Sequence, residues 1–576
     1  MTDTLTTETV AEQVAPAPSG PPTRPPAEPE PTNAIARRVL ARVDYGWAAL
    51  AVVLGGTIMT ILDATVVNVA IKTLQDAFNA HSYTDIAWVV TGYSLAQGAV
   101  IPITGWATDR FGTKRLYLIS LFSFVAASAA CGLAWSLPVL IVFRILQGLG
   151  GGMLMPIGLT IILQAFGPSR MGRVMGYFGV PMLIAPALGP VIGGWFAQDY
   201  SWRLIFFINV PIGILAFGAA YFLLRETPTS RTFKLDAVGL LTAVPAVVAL
   251  MYAMDRASSS SWGDPVVVTL LVAAAALFVA FVIRQRTTDQ PLLQLRLFRD
   301  STFSWSIVLG FLLITGLFGT GFLLPTFLQS VHGYGALETG LVLLPQALTA
   351  AVFMPFSGRL TDRIGPKPLV MTGVVLLTIG LFALSHIDAS TSIPAIGVCL
   401  ALIGVAMAFG MMPGMTAGLA RIPRDLTSRA SSITNTAQRV GMSIGIALLV
   451  TFLSSQTGSA AAAATCAPSD AVVAEAQTAL PAHPATAAAL CDALRSRAGS
   501  AGSGQGGSGG PASTGHADLD AFITSYGHDA TSIAFDRTFL FMAIVAALGL
   551  VPAYFLRRPE RQPDGQAAPA AALVEA

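Results

Sequence analysis

Two residues stand where charge is costly. Asp63 lies in Ile61-Leu62-Asp63-Ala64-Thr65-Val66-Val67-Asn68-Val69-Ala70, inside an apolar run. An ionised carboxylate within a membrane costs several kcal/mol unless it is paired, hydrated or protonated. A group able to change its charge under that pressure is a candidate proton carrier. A structural hydrogen bond at a helix contact is the plainer alternative. Arg144 lies in Leu140-Ile141-Val142-Phe143-Arg144-Ile145-Leu146-Gln147-Gly148, inside a second run. Asp63 is about eight residues and Arg144 about six from the same surface, which puts both ~10 Å below it at helical rise. At one depth the two charges can couple, with proton and substrate competing at Asp63 and Arg144 tuning the competition. An arginine that only locks helices together is the alternative.

Other polar residues within apolar runs are Gln97, Gln147, Asn209, Gln346, Asn435 and Gln438. Each lines a cavity or bridges helices; Gln97, Met155, Gln346 and Asn435 are the candidates for a substrate cavity. Met153, Phe318 and Phe322 are candidates for an adaptable apolar pocket, although plain packing explains them as well. His386, at an outer edge, is the one histidine near a span, so a histidine proton relay is not expected. No nucleophile–base constellation suggests an enzyme, and neither a cofactor nor a metal is implied. Nothing points to nucleic acid.

The elements that hold these residues follow from composition. Hydrophobic residues make up 54% of the chain and charged residues 11%, too apolar for a soluble domain of this length. The apolar residues fall in runs of about twenty, enough to cross the hydrocarbon as helices. Window reading predicts about fourteen spans. Six lie near 47–71, 85–108, 116–136, 138–162, 172–196 and 204–224. Two follow near 236–254 and 265–284. The last six lie near 302–330, 338–357, 368–386, 394–418, 428–454 and 537–556.

One segment occurs twice. Gly105, Asp109, Arg110, Gly112 and Lys114 return at identical offsets as Gly358, Asp362, Arg363, Gly365 and Lys367. Matching segments in two hydrophobic halves mark an internal repeat, a plan that membrane transporters use. Gly112 and Gly365 allow tight turns. Asp109 can accept hydrogen bonds from a helix N-terminus and latch one side shut; a solvated loop charge is the alternative. Basic residues collect in every second connection, among them Arg110, Lys114, Arg173, Arg284, Arg363 and Arg429. That bias places both termini in the cytoplasm. In the fifth span Gly176, Ala185, Gly189, Pro190, Gly193 and Gly194 permit a close helix approach, and the prolines bend the helix.

The chain divides on this reading into a disordered tail with a short basic interfacial helix (1–46), a six-helix bundle (47–224), two linker helices (225–300), a second six-helix bundle (301–557) and a disordered tail (558–576). An external loop spans 455–536, with a helix expected over 471–497 and a flexible Gly/Ser stretch over 499–515. Of four cysteines, Cys466 and Cys491 share that loop. They pair as a disulfide or stay as thiols; both readings stand.

The residues match a known pattern. Gly105–Arg115 resembles the loop signature of the major facilitator superfamily. Leu62–Ala70 resembles the first-helix signature of its fourteen-helix drug:proton antiporter branch, and Arg144–Gly152 the fourth-helix signature. Gly189-Pro190 with Gly193-Gly194 is similar to the antiporter signature. Ser201–Gly213, Leu324–Gln329 and Thr339–Pro345 are also typical of the branch. Ile71 and Lys72 stand where the first-helix signature ends in proline, Thr113 where the loop signature is basic, and Ala185 where the antiporter signature often has glycine.

The resemblance implies an all-α polytopic protein of two six-helix bundles and two inserted helices. It implies proton-driven export of lipophilic compounds by alternating access from an inner membrane, by a monomer, with an envelope adaptor left open. Asp63 and Arg144 would be the coupling residues and Asp109 a gating residue. Spans nine to fourteen lack an interior acid, which favours neutral or monovalent cargo. Export of one endogenous metabolite or lipid is the second reading, and a non-transporting sensor or scaffold the third.

Overall fold

The structure, a computed structural model, describes residues 43–80, 82–166, 170–226, 234–330, 332–388, 391–423, 426–463 and 517–557. The expected basic helix before Asp44, both tails, the helix over 471–497, the Gly/Ser stretch and the pairing of Cys466 with Cys491 lie outside the described residues.

Fourteen described helices are long and apolar enough to cross a membrane. They are α1 (Tyr45–Val69), α2 (Tyr83–Phe111), α3 (Thr113–Gly132), α4 (Leu137–Ala165), α5 (Met171–Asp199), α6 (Asn209–Leu223, preceded by the turn Leu204–Phe207) and α7 (Ala237–Ser259). Then come α8 (Pro265–Thr287), α9 (Ser301–Ser330), α10 (Ala336–Ile364), α11 (Pro366–Leu384), α12 (Ile393–Leu419), α13 (Thr427–Ala463) and α14 (Ala517–Leu548, continued by Leu550–Phe555). Short acidic or hydroxyl side chains begin several of them. Asp44 accepts from the Gly46 amide, Asp236 from Gly239 and Asp264 from Val266, which satisfies amides that have no partner within the helix.

Helices α1–α6 and α9–α14 form two six-helix bundles, and α7 with α8 forms an inserted hairpin. The bundles meet where α2 packs on α13 and α5 packs on α10. The hairpin covers the first of these seams. Tyr252 of α7 packs against Trp88 of α2 with ring centroids 5.5 Å apart, and Thr91 donates to Asp255 at 3.0 Å. On the other side of the seam, Trp262 in the turn after α7 donates to Thr451 of α13 at 2.7 Å.

The structure corrects the expected boundaries in three places. The repeated segment is not a loop, because α2 and α3 are separated by Gly112 alone, and α10 and α11 by Gly365 alone. Both glycines have φ of 89°, a conformation open to a residue without Cβ. Asp109 and Asp362 therefore sit on the last turns of helices. The sixth span is interrupted at Ile208, where Pro211 has no N–H to offer the Phe207 carbonyl. Pro552 has the same relation to Leu548, just before the break at Gly549. Helix also enters the outer loop, 455–536, from both ends, since α13 runs to Ala463 and α14 starts at Ala517.

Candidate functional site

Asp63 and Arg144 meet inside the first bundle. Nη1 of Arg144 stands 2.7 Å from Oδ2 of Asp63, and neither side chain has exposed surface. Oδ1 of Asp63 accepts from Gln147 Nε2 and from Asn209 Nδ2, each at 2.9 Å. The arginine Nε donates to the Val89 carbonyl at 3.1 Å, and Nη1 also donates to Gln147 Oε1 at 2.9 Å. Its guanidinium carbon lies 3.9 Å from the centre of the Tyr93 ring.

Each partner is placed by a separate piece of local sequence. Gln147 follows Arg144 by one helical turn on α4, so both point the same way. Asn209 is the first residue of α6 after the break that Pro211 enforces, and its amide also donates to Ser128 Oγ at 3.1 Å. Tyr93 is fixed by Gln97, whose Nε2 donates to the phenol oxygen at 2.7 Å. Helices α1, α2, α3, α4 and α6 thus converge on one carboxylate. An ionised carboxylate only accepts, and Arg144, Gln147 and Asn209 all donate to Asp63. Three sealed polar atoms lack partners beside it: Arg144 Nη2, Asn209 Oδ1 and Gln97 Oε1.

This burial changes the expectation for Asp63. With three donors on its oxygens and no surface exposed, the carboxylate offers substrate no direct contact in this conformation. Direct competition between proton and substrate at Asp63 is not what the geometry provides.

The repeated segments lie at one face of the molecule, the face that carries the basic residues. Asp362 of α10 accepts from the backbone amides of Gly172, at 2.8 Å, and Arg173, at 3.0 Å. These are the opening amides of α5, in the other bundle. Asp109 of α2 accepts from the Ser428 hydroxyl and pairs with Arg429 Nε at 3.4 Å, on the opening turn of α13. Each repeat therefore crosses to the opposite bundle through its aspartate. Its lysine stays home: Lys114 lies over Tyr221 at the end of α6, and Lys367 over Tyr554 after α14. Gly105 and Gly358 let the helices approach. A Cβ on Gly105 would stand 3.3 Å from the Arg429 Cα, and one on Gly358 3.0 Å from the Gly172 carbonyl carbon. Arg110 and Arg363 occupy the last turns of α2 and α10.

Glycines of α5 serve two neighbours. Gly176 faces Met354 of α10, whereas Gly189 and Gly193 face Thr65 and Val66 of α1. Gly194 faces no heavy atom within 4 Å, so it contributes nothing to helix approach here. Pro190 lies beside Gly340 of α10.

Each of the four cavity candidates has a packing or hydrogen-bonding role. Gln97 belongs to the Tyr93 contact, and Asn435 donates to the Ser431 carbonyl at 2.9 Å. Met155 packs against the core, and Gln346 is buried on α10. A cavity between α9, α12 and α13 is lined instead by Ser306, Met411, Met415, Thr434 and Gln438 among others. At about 20 Å³ it has room for about one water. Met153 packs against the core and Phe322 is exposed; the Phe318 side chain lies outside the described residues.

Sequence reasoning missed Arg439, a third charge inside a span, twelve residues beyond the start of α13 at Thr427. The signal was simply an arginine within the 428–454 run. It also gave Gln147 and Asn209 no partner, because their convergence depends on helix rotation.

The profile described as the Major Facilitator Superfamily matches residues 53–446. The chain is 35% identical over 420 residues to the Multidrug resistance protein B homolog of Mycobacterium tuberculosis, covering 72% of this chain and 78% of that protein. It is 31% identical over 413 residues to the Tetracenomycin C resistance and export protein of Streptomyces glaucescens, covering 72% of this chain and 77% of the relative. Among solved structures, the proton:xylose symporter XylE superposes with a TM-score of 0.53 at 13% identity, over 89% of this chain and 96% of XylE. That likeness speaks for the fold alone.

Proposed function

This chain belongs to the major facilitator superfamily, in its fourteen-helix drug:proton antiporter branch, and from that premise we propose that it exports lipophilic small molecules in exchange for protons. It works by alternating access in the inner membrane, with both termini in the cytoplasm and the proton gradient as its energy source. The basic face is then cytoplasmic. The division into bundles at 47–224 and 301–557, a linker at 225–300 and tails at 1–46 and 558–576 belongs to the same proposal.

The observation that carries this reading is the sealed Asp63–Arg144 pair. Burying two charges costs several kcal/mol per ion, and their attraction offsets that cost only while both are charged and well placed. A proton on Asp63 cancels one partner. Arg144 is then left charged in a low dielectric with only neutral acceptors, Val89 and Gln147. The protonated bundle therefore favours a rearrangement that hydrates or re-partners Arg144. Coupling acts through that rearrangement, not through substrate touching the carboxylate. Asp109 and Asp362, each reaching the opposite bundle, hold the cytoplasmic side shut until it occurs; Gly105, Arg110, Gly112, Lys114 and Arg363 shape these latches. Gly189 and Gly193 give α5 its close fit to α1, and Pro190 lies on its α10 side.

Inside-out vesicles containing the full chain, energised by respiration, test the proposal. Accumulation of a lipophilic dye is expected to collapse with a protonophore and to be absent in Asp63→Asn. Accumulation that persists after the proton gradient is gone sinks the proposal. A second reading, one dedicated cargo, is favoured by the Streptomyces glaucescens relative, which is named for a single compound.

A further inference from the structure

We propose that Arg439 forms an anion-binding site in the cleft between the bundles, so that the cargo is a lipophilic anion: a carboxylate, sulfonate or phenolate on an apolar frame. The proposal rests on the export reading and names its substrate class. Ser432, Thr436 and Arg439 are spaced by four and three residues on α13, which aligns them on one helix face. That face looks toward the first bundle, since Ser432 lies against Gly105 of α2 and its neighbour Ser431 donates to the Pro156 carbonyl of α4. Arg439 stands within electrostatic reach of Tyr93 on α2. Its residue keeps some exposed surface, whereas the Arg144 side chain has none.

No acid among the described residues answers this cation. Asp63 is taken by Arg144. Asp109 is bound to Ser428 and Arg429 at the cytoplasmic face. Asp255 is exposed near the outer end of α7 and accepts from Thr91. The interior formed by Asp63, Arg144 and Arg439 therefore carries one net positive charge. The hydroxyls of Ser432 and Thr436 are sealed without any hydrogen-bond partner. A hydroxyl can donate, and two orphan donors in line with an unpaired guanidinium present the chemistry of an anion site. A planar guanidinium suits carboxylate and sulfonate geometry.

The test compares two probes of similar shape and opposite charge, 1-pyrenesulfonate and (1-pyrenylmethyl)trimethylammonium, binding to the purified full-length protein by fluorescence anisotropy. The native protein is expected to prefer the anion. Arg439→Gln is expected to weaken anion binding at least about tenfold, the effect of removing one partner of a desolvated charge pair, and to leave cation binding as it was. Arg439→Lys, which keeps the charge, is expected to keep the anion preference. Equal anion affinity in the native protein and Arg439→Gln overturns the proposal, and so does an Arg439→Lys protein with no preference between the probes. Energised inside-out vesicles separate the two ideas. Arg439-dependent anion binding without proton-dependent uptake sinks the export reading and leaves this site standing.

Discussion

Asp63 gathers one charged and two neutral donors, and the neutral pair makes the site adjustable. Asn209 gives one hydrogen bond to the carboxylate and one to Ser128. Asn209→Ala leaves the sealed carboxylate one donor short and frees the Ser128 hydroxyl. Folding stability, read as thermal melting in detergent, is expected to fall by about 1–3 kcal/mol; an unchanged melting point would show that Asn209 does not hold the cluster. The charged pair behaves differently. Arg144→Gln strands a sealed carboxylate and Asp63→Asn strands a sealed guanidinium, each at about 3–5 kcal/mol. The double variant, with neither charge, is expected to melt in detergent closer to the native protein than either single variant does. Additive losses would show that the two charges do not depend on each other.

At the scale of elements, glycine positions decide how near the bundles come. A methyl group on Gly358 would sit 3.0 Å from the Gly172 carbonyl carbon and 3.1 Å from the Arg173 Cα. Backbone atoms at an opening helical turn cannot yield cheaply. Gly358→Ala is expected to cost the closed state about 1–3 kcal/mol, read as faster hydrogen–deuterium exchange over 170–176 and 354–364. Exchange at the native rate would show that the α5–α10 seam does not hold this face. Such elements were partly legible in the chain itself. Hydropathy located all fourteen spans, and the matched offsets of Asp109 and Asp362 marked the two ends that meet the other bundle. Depth along a helix placed Asp63 level with Arg144. Rotation about the helix axis was not legible. Hence the sealing of Asp63 and the convergence of Gln147 and Asn209 emerge only from packing. Arg439 was legible as an arginine within the 428–454 run, but which face of α13 carries it depends on packing. Gly112 and Gly365 announced turns, yet nothing in the chain said that one residue would be enough for each.

For the whole molecule, the two seams are latched alike but backed differently. Asp362 binds two backbone amides of α5, where its charge also faces the positive end of a helix dipole. Asp109 binds side chains of α13, and its partner Arg429 is itself only 6% exposed, so salt screens this pair little. Behind the Asp109 seam stands the inserted hairpin, tied to α2 through Asp255 and to α13 through Trp262. The described residues show no such brace against α5 and α10. If each latch contributes about 1 kcal/mol, losing one shifts the open-to-closed ratio about fivefold, since 1.4 kcal/mol is a factor of ten. Asp109→Asn and Asp362→Asn share no partner, so their effects should multiply to about 25-fold. Spin-label distances across the cytoplasmic face, measured in nanodiscs at fixed pH, read that ratio directly. The hairpin adds an asymmetry to the expectation. Asp362→Asn should widen the α5–α10 distance, while Asp109→Asn should widen α2–α13 less, because the hairpin packs along both helices of that seam. Equal widening in the two single variants would mean that the hairpin rides with one bundle and braces nothing.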